Sequence, residues 1–221
     1  MTYLSWSAFY EGPTDALYFD VLLPRLMEEA LLVEGVGHSD IPVAPAIGLG
    51  KNGRTVDAVA AELCESKDAF QLVFIHADAG GAGLAQGLAT RSTAYCEKAL
   101  ELCQWPPVRC VTVTPRHETE AWILADPHAV VAALGYARDA EELGLPANAH
   151  AAEHLIDPKA VLLEAILRVR GRNRRTGAAA QLFPAIAQRQ GIQRLRESNS
   201  FAEFEGRLRR CLQSLGCIPH G

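Results

Sequence analysis

The chain has 221 residues and a mass of 23.9 kDa, enough for one sizeable domain, or a domain with an extension, to bury a full core. With 49% hydrophobic and 21% charged residues its composition excludes a mainly disordered state, and no stretch is long and apolar enough for a membrane span. The net charge of -5 conceals an asymmetry, because residues 1–156 hold 21 acidic and 9 basic side chains whereas residues 157–221 hold 5 and 12.

An acidic body beside a basic tail region has two meanings. Either the parts neutralise one another, or an acidic metal site lies beside a phosphate-binding surface. The opening residues, M-T-Y-L-S-W-S-A-F-Y-E-G, lack a basic start and a long apolar run, so a cytoplasmic protein is expected. The cysteines at Cys64, Cys96, Cys103, Cys110, Cys211 and Cys217 show neither C-x-x-C nor zinc-finger spacing and are expected to be reduced and mostly buried.

Tyr3 to Tyr10 predicts a first strand that ends at Glu11-Gly12-Pro13-Thr14-Asp15. Thr14 is placed to cap a helix from Asp15 to about Leu32, which Pro24 is expected to kink or divide. Glu11 then stands at a strand tip, as a turn residue or as a metal-binding or acid–base group. A second short strand is expected at Ile41 to Ile47, followed by G-L-G-K-N-G-R-T (Gly48 to Thr55) and a helix from about Val56 to Cys64. The amides of this glycine-rich loop suit an anion. It matches neither a Walker loop nor a complete dinucleotide fingerprint, so ATP binding is not expected. Lys51 either touches a phosphate or belongs to a surface turn.

Gln71 to Ala77, Q-L-V-F-I-H-A, is the clearest strand, a continuous apolar run suited to the middle of a parallel sheet. It leads into Asp78 and a glycine-rich turn, with His76 on the same face as Asp78 and readable as a ligand or as a satisfied sheet histidine. A helix is expected from about Thr90 to Cys103, with Cys96 and Cys103 two turns apart on its core face. Cys110 to Pro115 predicts a buried strand, and R-H-E-T-E-A-W-I-L-A-D after it sets Glu118 and Glu120 where a helix begins. Acids at the carboxyl end of a strand lie where α/β sheets bind ligands; alternatively they favour the positive end of the helix. Asp126-Pro127 ends that turn or starts the next helix.

This alternation predicts an α/β domain over residues 1–135, a mostly parallel sheet of about four strands with helices on both faces. A basic helical C-terminal extension, residues 136–221, is expected to pack on it, with helices at Pro158 to about Arg170, Gln181 to Gln190 and Phe201 to Leu215, after one at Ala129 to Leu134. Between them Asp139 to His154 reads as a loop. Arg168, Arg170, Arg172, Arg174 and Arg175 crowd around two glycines, a density suited to phosphate contacts or to docking on the acidic body.

Three strings, E-G-x-T-[DE] at Glu11, I-H-A-D-A at Asp78 and E-x-E-A-W-[IL]-L-A-D at Glu118, resemble a bacterial Toprim-like family of unknown function. That family is related to the Toprim domains of OLD-like nucleases. D-P-K at Asp157 to Lys159, the G-R-N-R-R-T-G loop and S-F-A-E-F at Ser200 to Phe204 extend the resemblance along the whole chain. Toprim domains use a first-strand glutamate and a later D-x-D to hold magnesium and act on phosphodiesters. Glu11 matches the glutamate and Asp78 one aspartate. The pattern is incomplete, because either His76 replaces the first aspartate or Gly80 the second, and Glu118 or Glu120 is needed to make up the count.

The resemblance implies a nuclease or related phosphodiester-transfer protein acting on nucleic acid, in the setting of phage defence. Mg²⁺ or Mn²⁺ would be held by Glu11, Asp78, Glu118 and Glu120, with Glu11, Asp78 and Glu120 catalytic. Lys51 and the Arg168 to Arg175 loop would contact the nucleic-acid backbone. The alternative is a non-catalytic or conditionally active partner of an ATPase. A haloacid-dehalogenase-type phosphatase is disfavoured, because D-x-D-x-[TV] is absent.

Overall fold

The computed structural model describes residues 2–80, 83–171 and 179–220. Its centre is a three-stranded, all-parallel sheet of β2 (Trp6–Phe9), β4 (Leu72–His76) and β5 (Cys110–Val113), with β4 in the middle. Phe9 pairs with Ile75, and His76 with Val113, so all three strands end at the same edge. A smaller parallel pair joins β1 (Thr2–Tyr3) to β3 (Ser39–Asp40).

The expected fourth strand at Ile41 to Ile47 is absent. Pro42 and Pro45 remove two ladder donors from that stretch. Its main chain pairs with that of β2 beyond them, where Ala46 N donates to the Trp6 carbonyl at 2.7 Å, Leu49 N to that of Ala8 at 2.9 Å, and a single parallel bridge joins Ala8 to Gly48.

Period-two alternation sorts the strands between two faces. Trp6, Ala8, Leu72, Phe74, Val111 and Val113 face the larger core, whereas Phe9, Val73, Ile75 and Cys110 face the smaller one. The larger core is covered by α1 (Pro13–Glu34) and by the later helices. The smaller is covered by α2 (Val56–Ser66) and by α4 (Thr93–Cys103), which follows the short α3 (Leu84–Gly87) and a π-helical turn at Leu88–Ser92. Helices therefore cover both faces. Gly87 is required for this seat, since a Cβ there would lie 2.5 Å from the Ala79 backbone.

Helix α1 passes through Pro24 undivided, because Leu22, Leu23, Leu26 and Met27 are buried around it and lock the segment. Thr14 is not its cap. Gly12 occupies that position, and the Asp15 carboxylate reaches back to accept the Gly12 amide at 2.8 Å.

After β5 come α5 (Thr119–Ile123), α6 (Pro127–Leu134), α7 (Ala149–Glu153), α8 (Pro158–Arg170), α9 (Phe183–Arg189), α10 (Ile192–Leu195) and α11 (Asn199–Ser214). Asp126 caps α6, so Asp126-Pro127 starts a helix. The expected loop Asp139 to His154 contains a 3₁₀ turn at Ala140–Leu143 and α7. Glu153 at the end of α7 caps α11, accepting from Ser198 Oγ and from the amides of Asn199 and Ser200 at 2.7 to 3.0 Å. Burial pushes its pKa up, but these hydrogen bonds outweigh burial and hold it below the usual value. Trp122 binds the two parts together. It contacts Phe19, Phe201 and Phe204, and its indole nitrogen donates to Ser200 Oγ at 2.9 Å. Among the described residues no helix is long and apolar enough to cross a membrane.

The expectation of reduced thiols is corrected. Cys64–Cys103 and Cys96–Cys110 are disulfides, leaving Cys211 and Cys217 as buried free cysteines. Docking α2 on α4, and α4 on β5, brings the paired Cα atoms to 5.6 and 5.7 Å, within bridging range.

Candidate functional site at the strand tips

Because β2 and β4 are parallel neighbours in register, Glu11 and Asp78, each two residues past its strand, emerge side by side. Glu11 Oε2 accepts the Asp78 amide at 3.0 Å. Arg91, on the π-helical turn, bridges both segments, donating through Nη2 to Glu11 Oε1 at 2.5 Å and through Nη1 to the Asp78 carbonyl at 2.6 Å.

Behind them lies a buried polar cluster. His76 is fully buried, with Phe19 packed on its ring at 4.7 Å. Thr119, the first residue of α5, donates to Asp15 Oδ1 at 2.8 Å and sits 3.1 Å from His76 Nε2. His76 Nε2 is also 3.2 Å from Asp78 Oδ1, while Nδ1 accepts the Glu11 amide at 3.4 Å. Nε2 is directed at Asp78 and Thr119, while Nδ1 faces the Glu11 amide and, at 3.6 Å, Asp15 Oδ2. His76 is thus a satisfied sheet histidine that also orients a site carboxylate. Thr119 and Asp15 lie in strings that frame Glu118 and Glu11, so sequence offered a signal for both. It offered none for Arg91.

Glu118 and Glu120 flank Thr119 at the start of α5. Glu118 Oε2 is buried without a hydrogen-bond partner among the described residues. The Glu120 carboxyl is pushed up to about 7, chiefly by burial, with the charges of Glu118 and Asp78 adding to it and Lys159 opposing them. Glu120, Lys159 and Thr14 line a pocket of about 240 Å³ whose wall is otherwise apolar and includes Leu162, Leu163 and Phe183.

The glycine-rich loop does not offer its amides to a ligand. Glu62 of α2 accepts the amides of Gly50, at 2.6 Å, of Lys51, at 3.2 Å, and of Asn52. An internal carboxylate therefore fills the expected phosphate cradle, and the Lys51 side chain is exposed. Gly50 makes this possible at φ +86°, with the Phe9 ring 2.8 Å from where a Cβ would stand. The same loop delivers Arg54 to the strand tips, where Nη1 donates to the Glu11 carbonyl at 2.5 Å.

Of the arginine cluster, Arg168 is tied to Glu164 at 2.5 Å and to the Glu142 carbonyl at 3.3 Å, and Arg170 is the last residue of α8. Arg172, Arg174 and Arg175 lie outside the described residues.

A hard divalent cation needs several oxygen ligands. Asp78, Glu118 and Glu120 have that chemistry, and the unpartnered Glu118 oxygen is free to accept a ligand bond. Glu11 already has Arg91 as a cation. Among the described residues no group of three or more His, Cys, Asp or Glu side chains is gathered closely enough to hold a metal. The donor types fit Mg²⁺ or Mn²⁺, but the side chains would have to draw together. No family model matches the chain, and no curated protein and no solved structure is significantly similar to it.

Proposed function

We propose that the chain is a Toprim-like, divalent-metal-dependent nuclease or phosphodiester-transfer protein acting on nucleic acid, in the setting of phage defence. The observation that carries this reading is the hydrogen bond of Glu11 to the Asp78 amide, which joins acids distant in sequence at adjacent strand tips. Asp78, Glu118 and Glu120 would hold Mg²⁺ or Mn²⁺, joined by Glu11 once it released Arg91. A bound divalent ion would supply Lewis acidity toward a phosphoryl oxygen and lower the pKa of bound water.

The chain's own residues account for the rest. His76 holds Asp78 in orientation, and Thr119 ties His76 to Asp15. In the metal-free chain burial holds the Glu120 carboxyl at about 7, so metal binding there would release a proton near neutral pH. Arg91, once free of Glu11, is a guanidinium at the position where a phosphate would arrive.

The test compares wild type with Glu11→Ala and Asp78→Ala on single- and double-stranded DNA and RNA, with Mg²⁺ or Mn²⁺. Wild type should cleave, and each variant should lose roughly a hundredfold or more, the scale of a lost acid–base or ligand group. Equal activity in all three proteins, or none in any, overturns the reading.

A second reading, a non-catalytic or conditionally active partner of an ATPase, is favoured by the Arg91–Glu11 ion pair, which gives the first acid a built-in cation. It predicts no thermal shift on titration with Mn²⁺, whereas the nuclease reading predicts stabilisation that grows with metal concentration.

A further inference from the structure

Beside the acids, on the face covered by α2 and α4, lies a second pocket of about 320 Å³ whose wall includes Phe9, Glu11, Arg54, Thr90, Arg91 and Tyr95. We propose that the Arg54–Arg91 pocket is a phosphate subsite that takes a phosphate group of a nucleic-acid strand; this rests on the nucleic-acid reading above.

The two arginines reach the pocket from opposite sides, one from the glycine-rich loop and one from the π-helical turn. Arg54 is held by main-chain carbonyls, which do not neutralise it, whereas Arg91 is held by one carbonyl and by the Glu11 carboxylate. Arg54 donates through Nη1 to the carbonyls of Tyr10, at 3.3 Å, and Glu11, and its guanidinium lies 5.8 Å over the Phe9 ring. Tyr95 fixes the loop by donating from its hydroxyl to the Arg54 carbonyl at 3.0 Å. Arg91 is anchored on the Asp78 carbonyl and shares the pocket's carboxylate, Glu11.

Two guanidiniums against one carboxylate leave one positive charge in excess. The described hydrogen bonds of Arg54 all leave from one nitrogen, so the rest of its donor fork can meet a ligand. Forked N–H donors match the oxygens of a phosphate and hold it with charge-assisted bonds. Since Glu62 has taken the amides of Gly50, Lys51 and Asn52, it is the Arg54 side chain that the loop brings to this pocket. Both arginines contact Glu11 or its carbonyl, which puts the bound phosphate next to the acids.

The test uses the full chain without divalent metal and follows binding of a single-stranded oligonucleotide across a salt series. Competition by inorganic phosphate is measured alongside. Arg54→Gln should weaken binding about tenfold and reduce the slope of log K against log salt by about 0.7, the contribution of one phosphate contact to a single strand. Arg54→Lys should keep the slope and recover part of the affinity. Arg138→Gln, an exposed charge in a helical-region ion pair, should change neither by as much. Phosphate should compete in wild type and lose that effect in Arg54→Gln. Unchanged binding in Arg54→Gln, or an equal loss in Arg138→Gln, overturns the subsite while leaving the nuclease reading intact. Arg54-dependent phosphate binding with no affinity for DNA or RNA would keep the subsite and remove its nucleic-acid occupant.

Discussion

The two faces of the sheet are stabilised in different ways. One carries Trp6, Phe74, Trp122, Phe201 and Phe204 in a continuous core that links α1 to the C-terminal helices. The other has a smaller core between the sheet, α2 and α4, and is crossed by two disulfides. Large apolar burial suffices for the first, at roughly 25 cal/mol for each Å² removed from water. A small core buries less, and covalent links offset the difference by narrowing the unfolded ensemble. Each face also serves the strand tips: the large-core face holds the buried histidine cluster rigid, and the small-core face brings up Arg54 and Arg91.

The largest effect should come from the large core. Trp122→Ala leaves a cavity among three aromatic rings and removes one partner of the Ser200 hydroxyl, so a loss of about 3–5 kcal/mol is expected in denaturant unfolding. An ordinary surface-scale loss would mean that the C-terminal helices are not anchored there.

On the other face, Cys64→Ser with Cys103→Ser, or dithiothreitol on the wild type, should cost about 2–4 kcal/mol. Hydrogen exchange should rise in α2 and α4 and stay unchanged in α1 and α11. Identical unfolding with and without reductant would remove the disulfides from the account of this face.

A smaller change is expected where the faces meet. Thr119→Val keeps the side-chain shape but removes the hydroxyl that Asp15, His76 and Asp78 surround. Unpairing these buried groups should cost about 1–3 kcal/mol in the same unfolding assay. Stability equal to wild type would mean that the cluster does not depend on Thr119.

The parts of this arrangement legible in sequence were those written in local pattern. L-V-F-I-H followed by Asp78 announces a central strand and the acid at its tip, and the parity of His76 and Asp78 correctly put them on one face. Ile41 to Ile47 misled because its apolar residues resemble a strand while two prolines confine its main-chain pairing with β2 to its last residues. The cysteine pairs were invisible, since Cys64 and Cys103 are 39 residues apart and meet only because α2 docks on α4. Glu62 likewise looked like an ordinary helix residue, and only the folded loop shows it filling the amide cradle. E-A-W-I-L-A-D divides by role: Glu120 lines a pocket, whereas Trp122 packs the core and Asp126 caps α6 and accepts the Gly191 amide at 3.0 Å. A recognisable string is thus in large part a packing signature.

The smallest expected effect concerns Glu120. Its carboxyl rises from an ordinary 4.5 to about 7, chiefly because burial opposes ionisation. The folded chain therefore holds this proton more tightly than the unfolded chain does. The resulting stability is fully present below about 4.5 and is lost as pH rises through about 7. A shift of this size amounts to about 3 kcal/mol for a fully sequestered group. Solvent in the adjoining pocket screens Glu120, which reduces the expected effect to roughly 1 kcal/mol. Glu120→Gln should flatten this part of the pH profile, measured as melting temperature between pH 5 and pH 8. Mn²⁺ should flatten it too in the wild type if Glu120 is a ligand, because binding favours the ionised carboxylate. A profile identical in wild type and Glu120→Gln would mean that Glu120 ionises as it does in water and that burial does not hold its proton.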